Sequence, residues 1–245
     1  MKRQYNKKFT IPTDPLLPFM DNEKLYVRVK IVIDSARDAL KKNEKQFYGN
    51  SVDPFSALFD ALWQNISLTK WLKQEKSRQN QKTLQNYLGD FHQEIIGSFK
   101  NWESLGKGKV FDVKNDGKKI IAEIKNKHNT TKGNHKIVIY DDLKEQLDTG
   151  YGGYKAYYVE IIPKNKKVYD KPFTPSDNKT HFQRPKNENI RVIDGKSFYA
   201  LATGDKDALK KIYAILPKVI GDILKREYKI VEGDASFEEL FNRIY

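Results

Sequence analysis

One short stretch constrains the fold of this chain more than any other. Residues 154–163 read Tyr-Lys-Ala-Tyr-Tyr-Val-Glu-Ile-Ile-Pro, an apolar and aromatic strand with almost no polar alternation. A strand that is apolar on both faces needs cover on both, which predicts a central position in a sheet. Around it the pattern changes from helical to extended and back, so the chain is not a helical bundle. The expected class is α+β or a mixed α/β sheet flanked by helices.

No internal repeat, Pro-rich linker or low-complexity tract divides the 245 residues, and the chain reads as one continuous domain over 1–245. Residues 1–80 are mainly helical. Leu25, Val29, Val32, Ala36 and Leu40 recur at helical spacing, and Asp53 followed by Pro54 predicts a capped helix start. The buried stripe expected of that second helix is Phe55, Leu58, Phe59, Leu62 and Ile66. Residues 81–163 form a core. It opens with a helical stripe of Leu84, Tyr87, Leu88, Phe91, Ile95 and Phe99. Residues 110–115 and 118–127 then read as a hairpin around Asn115-Asp116-Gly117. Asn134 can cap the next helix, which Gly150 closes. Residues 164–190 are rich in Lys, Asn, Asp and Pro without a period, which predicts a long basic loop. Residues 191–245 hold a strand and helices.

Lys and Arg number 45 against 32 Asp and Glu, a formal net charge of +13. Such a balance suits a polyanionic partner, because each Lys or Arg releases counterions from a phosphate backbone. The excess is 37 Lys and only 8 Arg, a skew that AT-rich codon usage produces on any solvated surface. Charge therefore proposes nucleic acid without settling it. Cysteine is absent, which excludes disulfides, Cys-ligated zinc, iron–sulfur clusters and thiol nucleophiles. No apolar run approaches the ~20 residues of a membrane span, and Met1-Lys2-Arg3-Gln4-Tyr5 lacks a secretory h-region. The expectation is a soluble protein of the cytoplasm with no membrane partner.

Most catalytic devices are missing from the sequence. There is no GxxxxGK[ST] phosphate loop, GxSxG elbow or HExxH zinc helix. His128, Asn134 and His135 lack the spacing of a ββα-metal nuclease. A carboxylate followed two residues later by Lys occurs seven times, against about five expected by chance. Context separates one copy. In the strand 120–127, alternation puts Ile121, Glu123, Lys125 and Lys127 on one face, and the hairpin can bring Asp112 beside Glu123. Two carboxylates that close repel unless a divalent cation sits between them. Two readings stand at this point: an Mg²⁺ site, with the Ile124 carbonyl as a further ligand and Lys125 set to orient water, or an ordinary half-exposed hairpin.

Asp112 with Glu123-x-Lys125, after one helix and before another helix and strand, resembles the PD-(D/E)XK nuclease superfamily. More specifically, residues 120–131 (IIAEIKNKHNTT), with 88–94 (LGDFHQE) and 193–204 (IDGKSFYALATG), are similar to type II restriction endonucleases that cut GGNCC- or GGWCC-type sites. Phe111 stands where the superfamily name has Pro. The resemblance implies a PD-(D/E)XK core spanning 81–163, with a central mixed β-sheet and a catalytic hairpin. It also implies a bacterial homodimer that cuts both strands of double-stranded DNA with Mg²⁺, leaves 5′-phosphates, and has a DNA methyltransferase encoded nearby. By position, Asp112 and Glu123 become metal ligands and Lys125 the catalytic lysine. Some relatives add a helix carboxylate, for which Glu94 is the candidate and Glu103 the reserve. Lys127, His128, Asn129 and Lys132 follow the catalytic strand, and Arg184 and Arg191 border the long loop. All six are candidates for phosphate or base contact, with a solvated surface role as the alternative for each.

Two other functions compete. One is a structure-specific or repair nuclease on the same core, separated by whether both strands are cut at one sequence. The other is a non-catalytic nucleic-acid-binding protein, which any metal-dependent hydrolysis eliminates.

Overall fold

The structure is a computed structural model that describes residues 9–41, 44–49, 52–106, 108–131, 134–177, 180–225 and 235–245, the side chains of 44–46 and 235–237 aside. The first helices are α1 (Asn22–Leu40), α2 (Glu44–Gly49), α3 (Pro54–Trp63) and α4 (Leu68–Ile96). Then come β1 (Glu103–Ser104), β2 (Val113–Asn115), β3 (Ile120–Lys127), α5 (His135–Thr149) and β4 (Lys155–Ile162). A 3₁₀ turn (Lys164–Lys166) leads to β5 (Asp170–Pro172), β6 (Ile190–Asp194), α6 (Gly195–Thr203), α7 (Ala208–Leu224) and α8 (Ala235–Ile244). Contacts divide the chain into two compact units, Lys30–Asp90 and the remainder. Among the described residues no helix is long and apolar enough to cross a membrane.

The larger unit holds a six-stranded mixed sheet in the order β1-β2-β3-β4-β6-β5. β3, β4 and β6 run parallel, while β1, β2 and β5 are antiparallel to their neighbours. β4 is interior, as its composition requires. Ala156 and Tyr158 pack with Ile139, Tyr140 and Leu143 of α5. Tyr157, on the opposite face, meets Phe198 of α6 at 5.8 Å between ring centroids. Alternate residues of a strand point to opposite faces, so α5 and α6 cover the two sides. Each large apolar side chain buried this way stabilises the sheet by about 1.5–3 kcal/mol. The entry to α6 is close-packed: a Cβ on Gly195 would lie 2.4 Å from the Ile161 carbonyl oxygen. Asp194 caps that helix by accepting from Ser197 N at 3.0 Å.

Local expectations are corrected in four places. The return strand starts at Ile120 rather than 118, because residues 116–119 form a four-residue turn in which Asn115 Oδ1 accepts from Lys118 N at 2.8 Å. The 164–190 segment is not structureless, since β5 pairs with β6 through Asp170↔Ile193 and closes the sheet edge. Asn134 precedes α5, but its side chain makes no cap hydrogen bond and donates to Asp177 Oδ2 at 2.9 Å instead. Leu40, expected on the buried stripe of α1, is exposed.

In the smaller unit, Asp53 caps α3 as expected, accepting from Phe55 N at 2.9 Å with Pro54 in the first turn. The expected stripe is inverted except at Ile66, which packs against the buried cluster. Ala57 and Ala61 are buried with Trp71, while Phe55, Leu58, Phe59, Leu62 and Trp63 lie 72%, 57%, 73%, 70% and 90% exposed. Asp60 explains the rotation. It accepts a hydrogen bond from Trp71 Nε1 at 2.9 Å, which turns the small-residue side toward α4. α4 itself begins well before the apolar stripe at 84. Its first half buries Trp71, Glu75 and Gln79, a face on which polar residues interrupt the apolar period, and Arg78 Nε donates to Glu75 Oε2 at 2.6 Å.

Candidate active site

Asp112 stands one residue before β2, fixed by its own backbone. Its N–H donates to the Ala122 carbonyl at 3.0 Å, and its carbonyl accepts from Leu105 N at 2.9 Å. This bracing aims the side chain at β3, where Asp112 Oδ2 accepts from Ile124 N at 2.7 Å. An extended residue presents its N–H and C=O on the same strand edge, so the Ile124 carbonyl leaves on the side of that carboxylate. Glu123 and Lys125 share one face of β3, and Lys125 Nζ donates to Glu123 Oε1. The Glu123 side chain keeps only 13% of its surface exposed and Lys125 28%.

Electrostatically the three behave as one unit. Burial first, then the Glu123 carboxylate, push the Asp112 carboxyl up to about 7, against the Ile124 N–H and the Lys125 charge. Such a pair accepts a cation readily, because the cation removes the repulsion that raises the carboxyl. The donor set suits a small hard ion: Mg²⁺ typically takes one or two carboxylates and fills its other positions with water and substrate phosphate. Among the described residues no group of three or more acidic or His side chains forms a denser metal site.

Glu94, near the end of α4, faces β1. Its carboxylate is paired with Arg28 NH1 at 2.6 Å and accepts from Ser104 Oγ at 2.9 Å. Glu103, the reserve, lies 3.4 Å from Lys114 Nζ. Beyond Lys125, the strand ends at Lys127, and His128 N continues the ladder to the Ile162 carbonyl at 3.0 Å. His128 Nδ1 is buried with no hydrogen-bond partner among the described residues. Asn129 is exposed, and Lys132 lies outside the described residues. Both candidate arginines are engaged. Arg184 makes a bidentate pair with Asp141, Nε to Oδ1 at 2.8 Å and NH2 to Oδ2 at 2.6 Å. Arg191 contacts Asp170 Oδ1 at 2.5 Å and Glu188 Oε2 at 3.1 Å.

Sequence reasoning passed over Glu160. It is buried, stands opposite Lys125 in the β3–β4 register, and accepts from Lys136 Nζ at 2.6 Å and from Tyr169 OH. The available signal was one carboxylate inside an otherwise apolar stretch, residues 156–162.

A mixed sheet whose hairpin carries two converging carboxylates and a lysine on one face has the layout of a PD-(D/E)XK-like nuclease core. A family model described as "Eco47II restriction endonuclease" matches residues 17–225, and the chain belongs to that family. It is 40% identical over 238 residues to the type II restriction enzyme Eco47II of Escherichia coli, covering 94% of this chain and 99% of that one. It is 29% identical over 237 residues to the type II restriction enzyme Sau96I of Staphylococcus aureus, covering 94% and 90%. No solved structure matches. The chain is thus a site-specific deoxyribonuclease that acts on phosphodiester bonds of double-stranded DNA, and the non-catalytic alternative falls.

Proposed function

We propose that the chain is an Mg²⁺-dependent homodimeric restriction enzyme whose chemistry is carried by Asp112, Glu123 and Lys125. The observation that carries this reading is the convergence on one hairpin: Asp112 Oδ2 is held on the Ile124 N–H at 2.7 Å beside the Glu123 carboxylate, with Lys125 on the same strand face as Glu123 and bonded to it. Asp112, Glu123 and the Ile124 carbonyl are the groups that would hold Mg²⁺. When bound, the ion supplies charge stabilisation at the scissile phosphate. Lys125 orients the attacking water, favours its deprotonation by stabilising negative charge on the oxygen, and offsets the charge of the pentacovalent transition state. The water oxygen bonds to phosphorus as the P–O3′ bond breaks, so the 5′-phosphate stays on one fragment and the 3′-hydroxyl on the other.

Lys127, His128, Asn129 and Lys132 are proposed to meet the DNA where it follows the catalytic strand. Arg184 and Arg191 are proposed to exchange their acidic partners for phosphate or guanine. A GGNCC- or GGWCC-type target, a second copy to cut the opposite strand, and an adjacent methyltransferase gene complete the reading.

The test is incubation of the protein with long unmethylated DNA and Mg²⁺, followed by sequencing of the fragment ends. Double-strand ends at one palindrome, all bearing 5′-phosphate, are expected. Single-strand nicks, or ends set by DNA structure rather than sequence, would transfer the chain to the repair-nuclease reading.

A further inference from the structure

α3 presents Phe55, Leu58, Phe59, Leu62 and Trp63 to solvent. At 100° per residue these five fall within one continuous arc, with Ala57 and Ala61 on the other side of the helix. Monomeric proteins seldom expose an apolar patch of this size without using it. A fully exposed aromatic side chain offers about 150–250 Å², so the patch amounts to on the order of 600 Å². Two such patches pressed together bury roughly 1,200 Å², the lower edge of a specific protein–protein interface.

Charge identifies the occupant. Gln46 to Thr69 is the longest run in the chain without Lys or Arg, in a protein of net charge +13. The acidic residues within it are Asp53 and Asp60, both committed to local hydrogen bonds in the helix and to Trp71. Two copies of a strongly cationic chain repel wherever Lys and Arg face one another. Beside Phe59 and Trp63 lie Asp53, Asp60, Glu75 and Arg78, and the Arg78 guanidinium is held by Glu75 through two hydrogen bonds, so the charge beside the patch is acidic on balance. Such a surface is unsuited to a phosphate backbone. An apolar patch whose polar edge carries both signs of charge is complementary to itself, the requirement of an isologous two-fold contact.

We propose that the α3 face is the surface through which two copies of this chain associate. The inference rests on the homodimer in the functional reading and names where it forms. Sedimentation of the full chain at micromolar concentration should show a dimer. The double variant Phe59→Ser/Leu62→Ser should associate at least ~30-fold more weakly, with its melting temperature as a monomer unchanged because both side chains are already exposed. Independently of folding, Phe59→Cys introduces the sole cysteine of the chain and should be joined to a second copy by a short bismaleimide, whereas Ser77→Cys should not. A double variant that dimerises as tightly as wild type would overturn the proposal. So would a wild-type chain that is monomeric with and without DNA, its Phe59→Cys form uncrosslinked, as expected if another segment covers the face. Cleavage assayed on the same preparations separates the two readings. A monomer that cuts one palindrome removes only the α3 interface, and an α3 dimer that cuts nothing removes only the nuclease assignment.

Discussion

β4 and α3 are among the most apolar segments of the chain, and the structure treats them oppositely. β4 buries Ala156, Tyr157, Tyr158, Val159 and Ile161 almost completely, between α5 on one face and α6 on the other. α3 buries its alanines and leaves its large side chains in solvent. Apolarity states that a surface is to be covered; it does not state by what. In β4 the cover comes from the same unit, so the residues are core. In α3 the unit provides cover only for the small side, and the large side is left for association.

The largest effect that would break this contrast is truncation in the sheet. Tyr158→Ala removes a fully buried ring packed against Phe173 at 4.8 Å and should cost about 3–5 kcal/mol in denaturant unfolding. A loss under ~1 kcal/mol would deny that β4 is central. A smaller cost, about 1–3 kcal/mol, is expected for Glu160→Leu, which strands the ammonium of Lys136 and the hydroxyl of Tyr169 that now bond to the buried carboxylate. Stability unchanged in that variant would show the cluster to be incidental. In the smaller unit, Asp53→Ala should cost about 1 kcal/mol by removing the α3 cap, and Phe55→Ser should fall within ~0.5 kcal/mol for the monomer. Equal losses for Phe55→Ser and Tyr158→Ala would erase the distinction.

Acid sharpens the description of the larger unit. His92 Nδ1 lies 2.8 Å from Tyr199 OH, and burial holds the imidazole down to about 4. Unfolded, it titrates near 6.5. The unfolded chain therefore binds the extra proton first, so this contribution is complete above about pH 6.5, declines as pH falls toward 4, and is flat below. Melting curves across that range should show the decline, and His92→Gln should flatten it. An identical slope in the variant would remove His92 from the account.

What was legible in the sequence follows from the range of the interactions. The hairpin and its face alternation were readable because β periodicity and an Asp-Gly turn are local, and Asp112, Glu123 and Lys125 do converge. The central strand was readable because double-sided burial leaves a compositional mark. The orientation of α3 was not, since it depends on a hydrogen bond between Asp60 and Trp71 that no periodicity encodes. The first half of α4 was hidden because its buried face follows Trp71 with the polar Glu75 and Gln79, so no apolar period shows. β5 was hidden because an edge strand of Asp-Lys-Pro has neither alternation nor apolar content. The pairing of Arg184 with Asp141 spans distant positions, so sequence offered the arginine without its partner.

The central claim is that one face of β3 carries the chemistry. It is tested most directly by single-turnover cleavage of cognate DNA by wild type and Lys125→Ala, with DNA binding of both measured in Ca²⁺, an ion that tolerates looser geometry. The role proposed for Lys125 lies in the transition state, so binding should be retained while cleavage falls at least ~100-fold. Near-wild-type turnover in Lys125→Ala would contradict the account.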